Sequence, residues 1–361
     1  MRPRSLLLLP GLVLLLSCSD PVPEPDAPLF NAPARFPKPV YALERNPVTQ
    51  AGFELGRTLF YDGSLSRDGS VSCGECHRQD VAFTHHGHDL SHGIDNLQGV
   101  RNSLPLQNLA WERNLMWDGG VFDLDLFPIV PIENPVEMDE KTGNVLQKLR
   151  RSKMYPALFK RAYGSDSITT DRFLKALSQF MLTLVSDNSR YDQFRRGEGT
   201  LLTDAERAGL STFEQKCAGC HAGELFTDGS FRNNGLPAIE RFQLIFKDVN
   251  GQRTQFLEPF DDLGRAIITE RNADKYTFRV PSLRNVEVTK PYMHDGRFTT
   301  LEQVLDHYAG SVSATPNLDP LLTKSARPGI PLANEEKRNL VAFLKTLTDH
   351  SFLTNPRFSP Q

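Results

Sequence analysis

The sequence predicts an all-α fold of two similarly built domains, and three observations carry that prediction. Apolar residues recur at three- and four-residue intervals wherever they are regular, while the strict alternation of a half-buried strand is scarce. A helical stretch leading to a C-x-x-C-H motif occurs twice, at Cys73-Gly-Glu-Cys76-His77 and at Cys217-Ala-Gly-Cys220-His221. Between the copies, residues 186–199 are rich in Asp, Asn, Ser, Arg and Gly, which breaks the apolar pattern and marks a boundary. At 361 residues, 39% of them hydrophobic and 24% charged, the chain is long enough for two cores.

At the start, Arg2 and Arg4 precede an apolar stretch from Leu6 to Leu16. Pro10-Gly11 breaks it, and it is shorter than the roughly 20 residues of a spanning helix. Ending in Leu15-Leu16-Ser17-Cys18, residues 1–18 resemble a bacterial lipoprotein signal, which implies cleavage before Cys18 and a lipid on its thiol. An ordinary export signal with an incidental cysteine is the alternative. By resemblance to known sorting signals, Ser19, rather than an acidic residue, favours the outer membrane over the inner one. Residues 19–46, rich in Pro, Ala and Asp, are expected to form a tether with little packing.

The first domain, 47–188, is predicted to open with Asn46 as a cap and Pro47 as the first helical residue, Phe53, Leu55, Leu59 and Phe60 supplying apolar surface. It closes on a helix of about four turns bearing Phe173, Leu174, Leu177, Phe180, Met181 and Leu184 on one face. The second domain, 189–355, repeats the plan. Thr203-Asp204-Ala205-Glu206 has capping-box spacing and starts a helix that runs through Phe213 toward Cys217. Asn334 is the predicted cap of a closing helix in which Leu340, Phe343, Leu344 and Leu347 share a face.

Each cysteine pair can form thioethers to the vinyl groups of a haem, with the next histidine placed to bind the iron. Cys73, Cys76 and His77, and Cys217, Cys220 and His221, are therefore read as the attachment sites of two haem c groups. A redox disulfide or half of a zinc site would use a C-x-x-C pair, but neither explains a histidine directly after it, twice. With Cys18 as the lipid site, all five cysteines are assigned and none remains for a disulfide. The net charge of -3, without a long basic block, recommends no nucleic-acid partner. Two haems admit an electron carrier with both irons six-coordinate, or an enzyme with one iron open to a substrate such as peroxide.

Further segments decide between these. They are Arg101-Asn102-Ser103-Leu104-Pro105-Leu106-Gln107-Asn108, Met116-Trp117-Asp118-Gly119, Pro131-Ile132-Glu133-Asn134-Pro135-Val136-Glu137-Met138, Val280-Pro281-Ser282-Leu283-Arg284-Asn285 and Pro291-Tyr292-Met293-His294-Asp295-Gly296. In order and spacing they resemble the bacterial dihaem cytochrome c peroxidases and their MauG-type relatives, over roughly residues 47 to 350. The resemblance implies two cytochrome-c-like haem domains in the periplasm. An N-terminal haem would react with hydrogen peroxide and a C-terminal haem would feed it electrons from a small cytochrome c or cupredoxin. A homodimer is compatible with it.

Residue by residue, the resemblance puts Glu137 at the catalytic glutamate and Trp117 between the haems. His92 resembles a removable distal histidine, with His85, His86 and His88 as rivals on the same loop. Tyr308, fourteen residues after His294, stands where MauG places a tyrosine ligand and other members a methionine; Met293 and His307 are the alternatives. Asn102, Thr289 and Pro291 match the family's calcium ligands, an amide and two backbone carbonyls. Three positions depart from the pattern: Phe127 replaces a common glutamine, Gly120 an arginine, and Gln215 the surface tryptophan through which MauG oxidises its protein substrate. Trp111 and Trp117 are the only tryptophans. The leading expectation is a lipid-anchored periplasmic enzyme reducing hydrogen peroxide to water. The alternatives are a MauG-like enzyme that oxidises a protein or small molecule, and a dihaem electron carrier.

Overall fold

In a computed structural model that describes residues 29–85 and 87–360, two helix pairs organise the chain. Cys18, the 1–18 signal and His86 lie outside the described residues. The first half contains α1 (Gln50–Phe60), α2 (Cys73–Cys76), α3 (Ile129–Glu133), α4 (Thr142–Arg151), α5 (Tyr155–Tyr163) and α6 (Thr170–Leu182). The second contains α7 (Arg190–Arg196), α8 (Asp204–Lys216), α9 (Ala266–Thr269), α10 (Leu301–Asp306), α11 (Asn334–Lys345) and α12 (His350–Leu353). No helix among the described residues is long and apolar enough to cross a membrane.

α1 packs on α6, and α8 on α11, by the same device. A Cβ added to Gly56 would stand 2.0 Å from the Ala176 carbonyl oxygen, and one added to Gly209 would stand 1.9 Å from that of Asn339. Each pair therefore meets backbone to backbone, where only glycine fits. Around α1 and α6 lies a core that includes Phe53, Leu55, Leu59, Phe60, Phe173, Leu177 and Phe180. Around α8 and α11 lies a second, with Phe213, Phe226, Leu340, Phe343, Leu344 and Leu347. Each such side chain stabilises its core by roughly 1.5–3 kcal/mol relative to exposure.

The predicted capping box at α8 is present, Thr203 and Glu206 bonding each other's backbone N–H. Two predicted caps move. Thr49, not Asn46, caps α1 by accepting from Gly52 N–H, and Pro47 stays outside the helix. Asn46 is buried instead, donating to the Lys175 carbonyl at 3.0 Å and accepting from Gln179 at 2.8 Å, which ties the entry of α1 to α6. Asn334 is the first residue of α11, and Glu336 accepts the Ala333 N–H at 2.8 Å.

Three segments differ from their predicted character. Residues 29–46, expected to be a tether, lie against the first core: Phe36 stacks edge-on to Trp111 at 5.1 Å, and the Trp111 indole donates to the Pro37 carbonyl at 2.6 Å. The aromatic residues set among the prolines give this stretch something to bury. The polar stretch 186–199 contains α7, whose Asp192 receives a buried bidentate bond from Arg284 at 2.8 and 2.9 Å. The mostly helical chain also carries a hairpin, β2 (Phe242–Val249) and β3 (Gln252–Pro259), turned by Asn250 and Gly251 at φ 55° and 80°. A short pair, β1 (Phe231–Arg232) with β4 (Phe278–Arg279), completes the strands.

The segments that carried the family resemblance meet where the halves join. Gln107 donates to the Arg284 carbonyl at 2.7 Å and accepts from Asn285 at 2.5 Å. Arg101 grips Asp262 through two bonds of 2.7 Å and reaches Asp118 at 2.5 Å. The C-terminal tail crosses back as well, Phe352 and Phe358 joining the first core and Tyr61 donating to the Phe358 carbonyl at 2.7 Å.

Candidate functional site

Both C-x-x-C-H motifs follow the first helix of a pair. In the first, α2 holds Cys73 and Cys76, and His77 Nδ1 lies 2.7 Å from the Phe83 carbonyl oxygen. In the second, His221 Nδ1 lies 3.1 Å from the Phe226 carbonyl oxygen. Because the partner is a carbonyl, Nδ1 carries the proton and Nε2 is left with its lone pair. Both phenylalanines adopt positive φ, 57° at Phe83 and 53° at Phe226, which turns their carbonyls toward the imidazoles. Burial lowers His77 to about 4, and lowers His221 too, so both rings are neutral at pH 7 and suited to bind a metal. All four cysteines are free, and burial pushes Cys73, Cys76 and Cys217 up to about 12.

A cavity of roughly 220 Å³ adjoins the second motif, its walls mostly apolar. Cys217, Cys220 and His221 line it, with Trp117, Met293 and Tyr308 among the facing groups. An apolar slot, two thiols and a neutral imidazole fit a covalently held haem. Tyr308 sits in a π-helical turn, residues His307–Ser311, that continues α10, a geometry common at functional sites. Burial raises its phenol to about 12, opposed by a hydrogen bond from the Asn234 side chain. Of its two rivals, His307 has Nε2 bonded to the Asn234 carbonyl at 3.0 Å, and the Met293 sulfur receives the Asn234 amide at 3.5 Å.

Glu137 stands beside the first motif. Asn134 donates to its carboxylate at 2.6 Å, and its charge adds to the rise of both the Cys73 and Cys76 thiols. Part of the residue's surface is open, yet protein surrounds the carboxyl itself, and this burial raises its pKa against the pull of the Asn134 bond. The His92 loop closes the same corner: Ile94 N–H donates to the Glu137 carbonyl at 2.7 Å, and the Cys76 sulfur is 3.6 Å from the His92 carbonyl oxygen. Gly93 is required there, since a Cβ would come within 2.4 Å of the Glu137 backbone. The His92 ring is held by its own loop, Nδ1 at 2.7 Å from Asn96 and Nε2 at 3.1 Å from Gln98. His85 and His88 lie close, with ring centroids 6.3 and 4.7 Å from that of His92. No group of three His, Cys, Asp or Glu side chains among the described residues is arranged to hold a metal ion.

Trp117 is buried at the junction, its indole donating to the Asn102 carbonyl at 2.8 Å and its ring 6.5 Å from that of His294. Asn102 is buried too, and its amide nitrogen donates to the Pro291 carbonyl at 2.6 Å. Thr289 lines the same cavity. Phe127 packs against the first core, and Gln215 is exposed near the end of α8. Sequence reasoning gave no role to Asn134, although it stands within the Pro131–Met138 segment, and missed Asn234, which carries no motif of its own. It also missed Arg253 of β3, which grips Asp139 through bonds of 2.7 and 2.8 Å and so fastens the hairpin two residues from Glu137.

Comparison with known proteins agrees with this geometry. Residues 50–200 match the family model described as di-haem cytochrome c peroxidase. The methylamine utilization protein MauG of Methylorubrum extorquens is 33% identical over 327 residues, covering 89% of this chain and 85% of its own. The cytochrome c551 peroxidase of Nitrosomonas europaea is 33% identical over 297 residues, 82% and 79% of the two chains. Among solved structures, a MauG-like protein associated with microbial copper homeostasis superposes with a TM-score of 0.76 at 32% identity, covering 91% of this chain and 98% of that one. With two thiol-pair and histidine sites built alike and relatives matched over most of their length, the chain belongs to the dihaem cytochrome c peroxidase and MauG family of oxidoreductases.

Proposed function

We propose that the chain is a lipid-anchored periplasmic dihaem peroxidase that reduces hydrogen peroxide to water with electrons from a small cytochrome c or cupredoxin. The observation that supports this most directly is Glu137, oriented by Asn134 beside the first motif. A haem on Cys73, Cys76 and His77 would supply the iron at which the O–O bond is cleaved. Glu137, as a carboxylate, takes the proton from one peroxide oxygen and returns it to the other, which leaves as water. Each peroxide then consumes two electrons and two protons and yields two waters. Trp117, bonded to the Asn102 carbonyl and lining the cavity beside the second motif, is the relay between the two centres. His92, with both ring nitrogens engaged on its loop, corresponds to the form in which the reaction site is open.

In this reading residues 47–188 and 189–355 are the two haem domains, and Cys18 carries the lipid. Asn102, Thr289 and Pro291 would hold calcium through neutral oxygens once the Asn102 amide turns its oxygen, rather than its nitrogen, toward Pro291. The test is Glu137→Gln in the haem-loaded protein: peroxide turnover should collapse while haem content holds, and full turnover would refute the assignment.

One observation favours a second reading, a MauG-like enzyme that oxidises a protein or small molecule. Tyr308 shares the second cavity with His221, and a phenolate favours oxidised iron more than a thioether does. Adding peroxide to the fully oxidised protein separates the two. A spectrum that stays changed until reductant arrives supports the second reading, whereas turnover that begins only after half-reduction supports the first.

A further inference from the structure

Three side chains near the second motif could complete an iron site, and a single residue touches all of them. Asn234 follows β1 in a turn fastened on both sides. The Asn233 amide nitrogen donates to Thr315 at 3.0 Å and Asn317 at 2.9 Å, and its oxygen accepts the Gly235 N–H at 2.9 Å. Ser313 N–H donates to the Gly235 carbonyl at 2.8 Å, and a Cβ on Gly235 would meet Val312 at 2.5 Å. So held, the Asn234 side chain has little freedom. Its amide N–H points to the Met293 sulfur at 3.5 Å, and the main-chain carbonyl of Asn234 takes His307 Nε2 at 3.0 Å. Asn234, Met293, Tyr308 and His221 all line the one cavity.

We propose that Asn234 is a positioning residue that selects the sixth ligand of the second haem, holding Met293 and His307 aside while its side chain hydrogen-bonds the Tyr308 phenol and so favours that oxygen as the ligand. The inference rests on the reading of Tyr308 as that ligand. A thioether is a weak acceptor, so one N–H···S contact is a small bias by itself. The bias matters because Met293 lies in the same cavity as Tyr308 and would otherwise compete. Met293 is also held in a left-handed backbone conformation, φ 73°, which sets the direction in which its side chain leaves the main chain. His307 is excluded separately, through a main-chain carbonyl that substitution of the Asn234 side chain leaves in place.

The test uses the haem-loaded full chain, read by EPR, near-infrared absorption and potentiometry of the second haem. Asn234→Leu and Asn234→Ser should each introduce the charge-transfer absorption of a thioether on ferric iron and raise the potential of that haem. The first haem should keep its spectrum. Adding Met293→Leu to either variant should remove the new absorption, and Met293→Leu alone should look like the parent protein. Asn234 variants that keep the parent spectrum and potential would overturn the proposal, as would a parent spectrum that Met293→Leu alone changes. Tyr308→Phe isolates the underlying reading: if it leaves the parent spectrum untouched, Tyr308 is not the ligand and that reading, rather than the selection by Asn234, has failed.

Discussion

Around His77 and around His221 the chain builds the same frame. Each motif follows a helix that crosses its partner through a glycine, Gly56 on Ala176 and Gly209 on Asn339, and each histidine is oriented by the carbonyl of a left-handed phenylalanine. The difference lies in what faces the motif. The first has a buried carboxylate, Glu137, and the second a buried phenol, Tyr308, with a methionine and a histidine held aside. A proton acceptor suits chemistry on a substrate, whereas a potential ligand suits closing the iron. The frame is thus common to both halves, and the proposed division of labour would rest on the groups that face each motif.

The sharpest way to break this comparison is to remove the carboxylate. Glu137→Gln should lower peroxide kcat/KM by about 10²- to 10⁴-fold, the range of a lost general base. Tyr308→Phe should instead change the potential and spectrum of the second haem. Equal turnover losses from both changes would mean that the halves do not divide the work as described. The shared frame is tested by Gly56→Ala and Gly209→Ala, each expected to cost about 1–3 kcal/mol in denaturant unfolding, because the new Cβ meets a carbonyl oxygen at 2.0 or 1.9 Å. A large cost at one glycine only would show that the crossings are not equivalent.

The pH profile sharpens the contrast. Burial raises Glu137, so its basic form is lost as pH falls through a value above the usual carboxylate range. On the acid side, kcat/KM should fall about tenfold per pH unit, with a midpoint above that of an exposed glutamate. Glu137→Gln should abolish this limb, and a limb that persists belongs to another group. The smallest effect is expected at the strap. Arg253 is 44% exposed, so Arg253→Ala should reduce stability by less than about 1 kcal/mol. A several-fold slower turnover without loss of haem would show that the hairpin also steadies the Glu137 loop.

Much of this frame was legible in the sequence because it is local. The C-x-x-C-H spacing, the capping box at Thr203 and Glu206, and the apolar faces of α6 and α11 each lie within a few helical turns. The bounds of α1 were misread because Asn46 is a good cap by type, but here a long-range bond to Gln179 engages its side chain. The hairpin escaped because the apolar residues of β2 do not alternate strictly and β3 is mostly polar, with most residues of the two strands together exposed; the Asn250-Gly251 pair was the available signal. The roles of Asn134 and Asn234 were unreadable for a different reason. An asparagine becomes functional only through what lies across from it, and Asn234 meets Met293 from 59 positions away.

The glycine crossings also bear on the order in which the molecule can be made. α1 and the first motif leave the ribosome well before α6 arrives, since nearly a hundred residues separate Cys76 from Thr170. That stretch can extend to about 300 Å. Until its main partner helix emerges, α1 lacks the surface on which its glycine crossing closes, and the packing that buries the two thiols is incomplete. The second half repeats the delay, with α11 following its motif by more than a hundred residues. Late closure would leave the thiols of each motif reachable in turn, so the packing that later buries the cysteines need not obstruct the attachment of a haem.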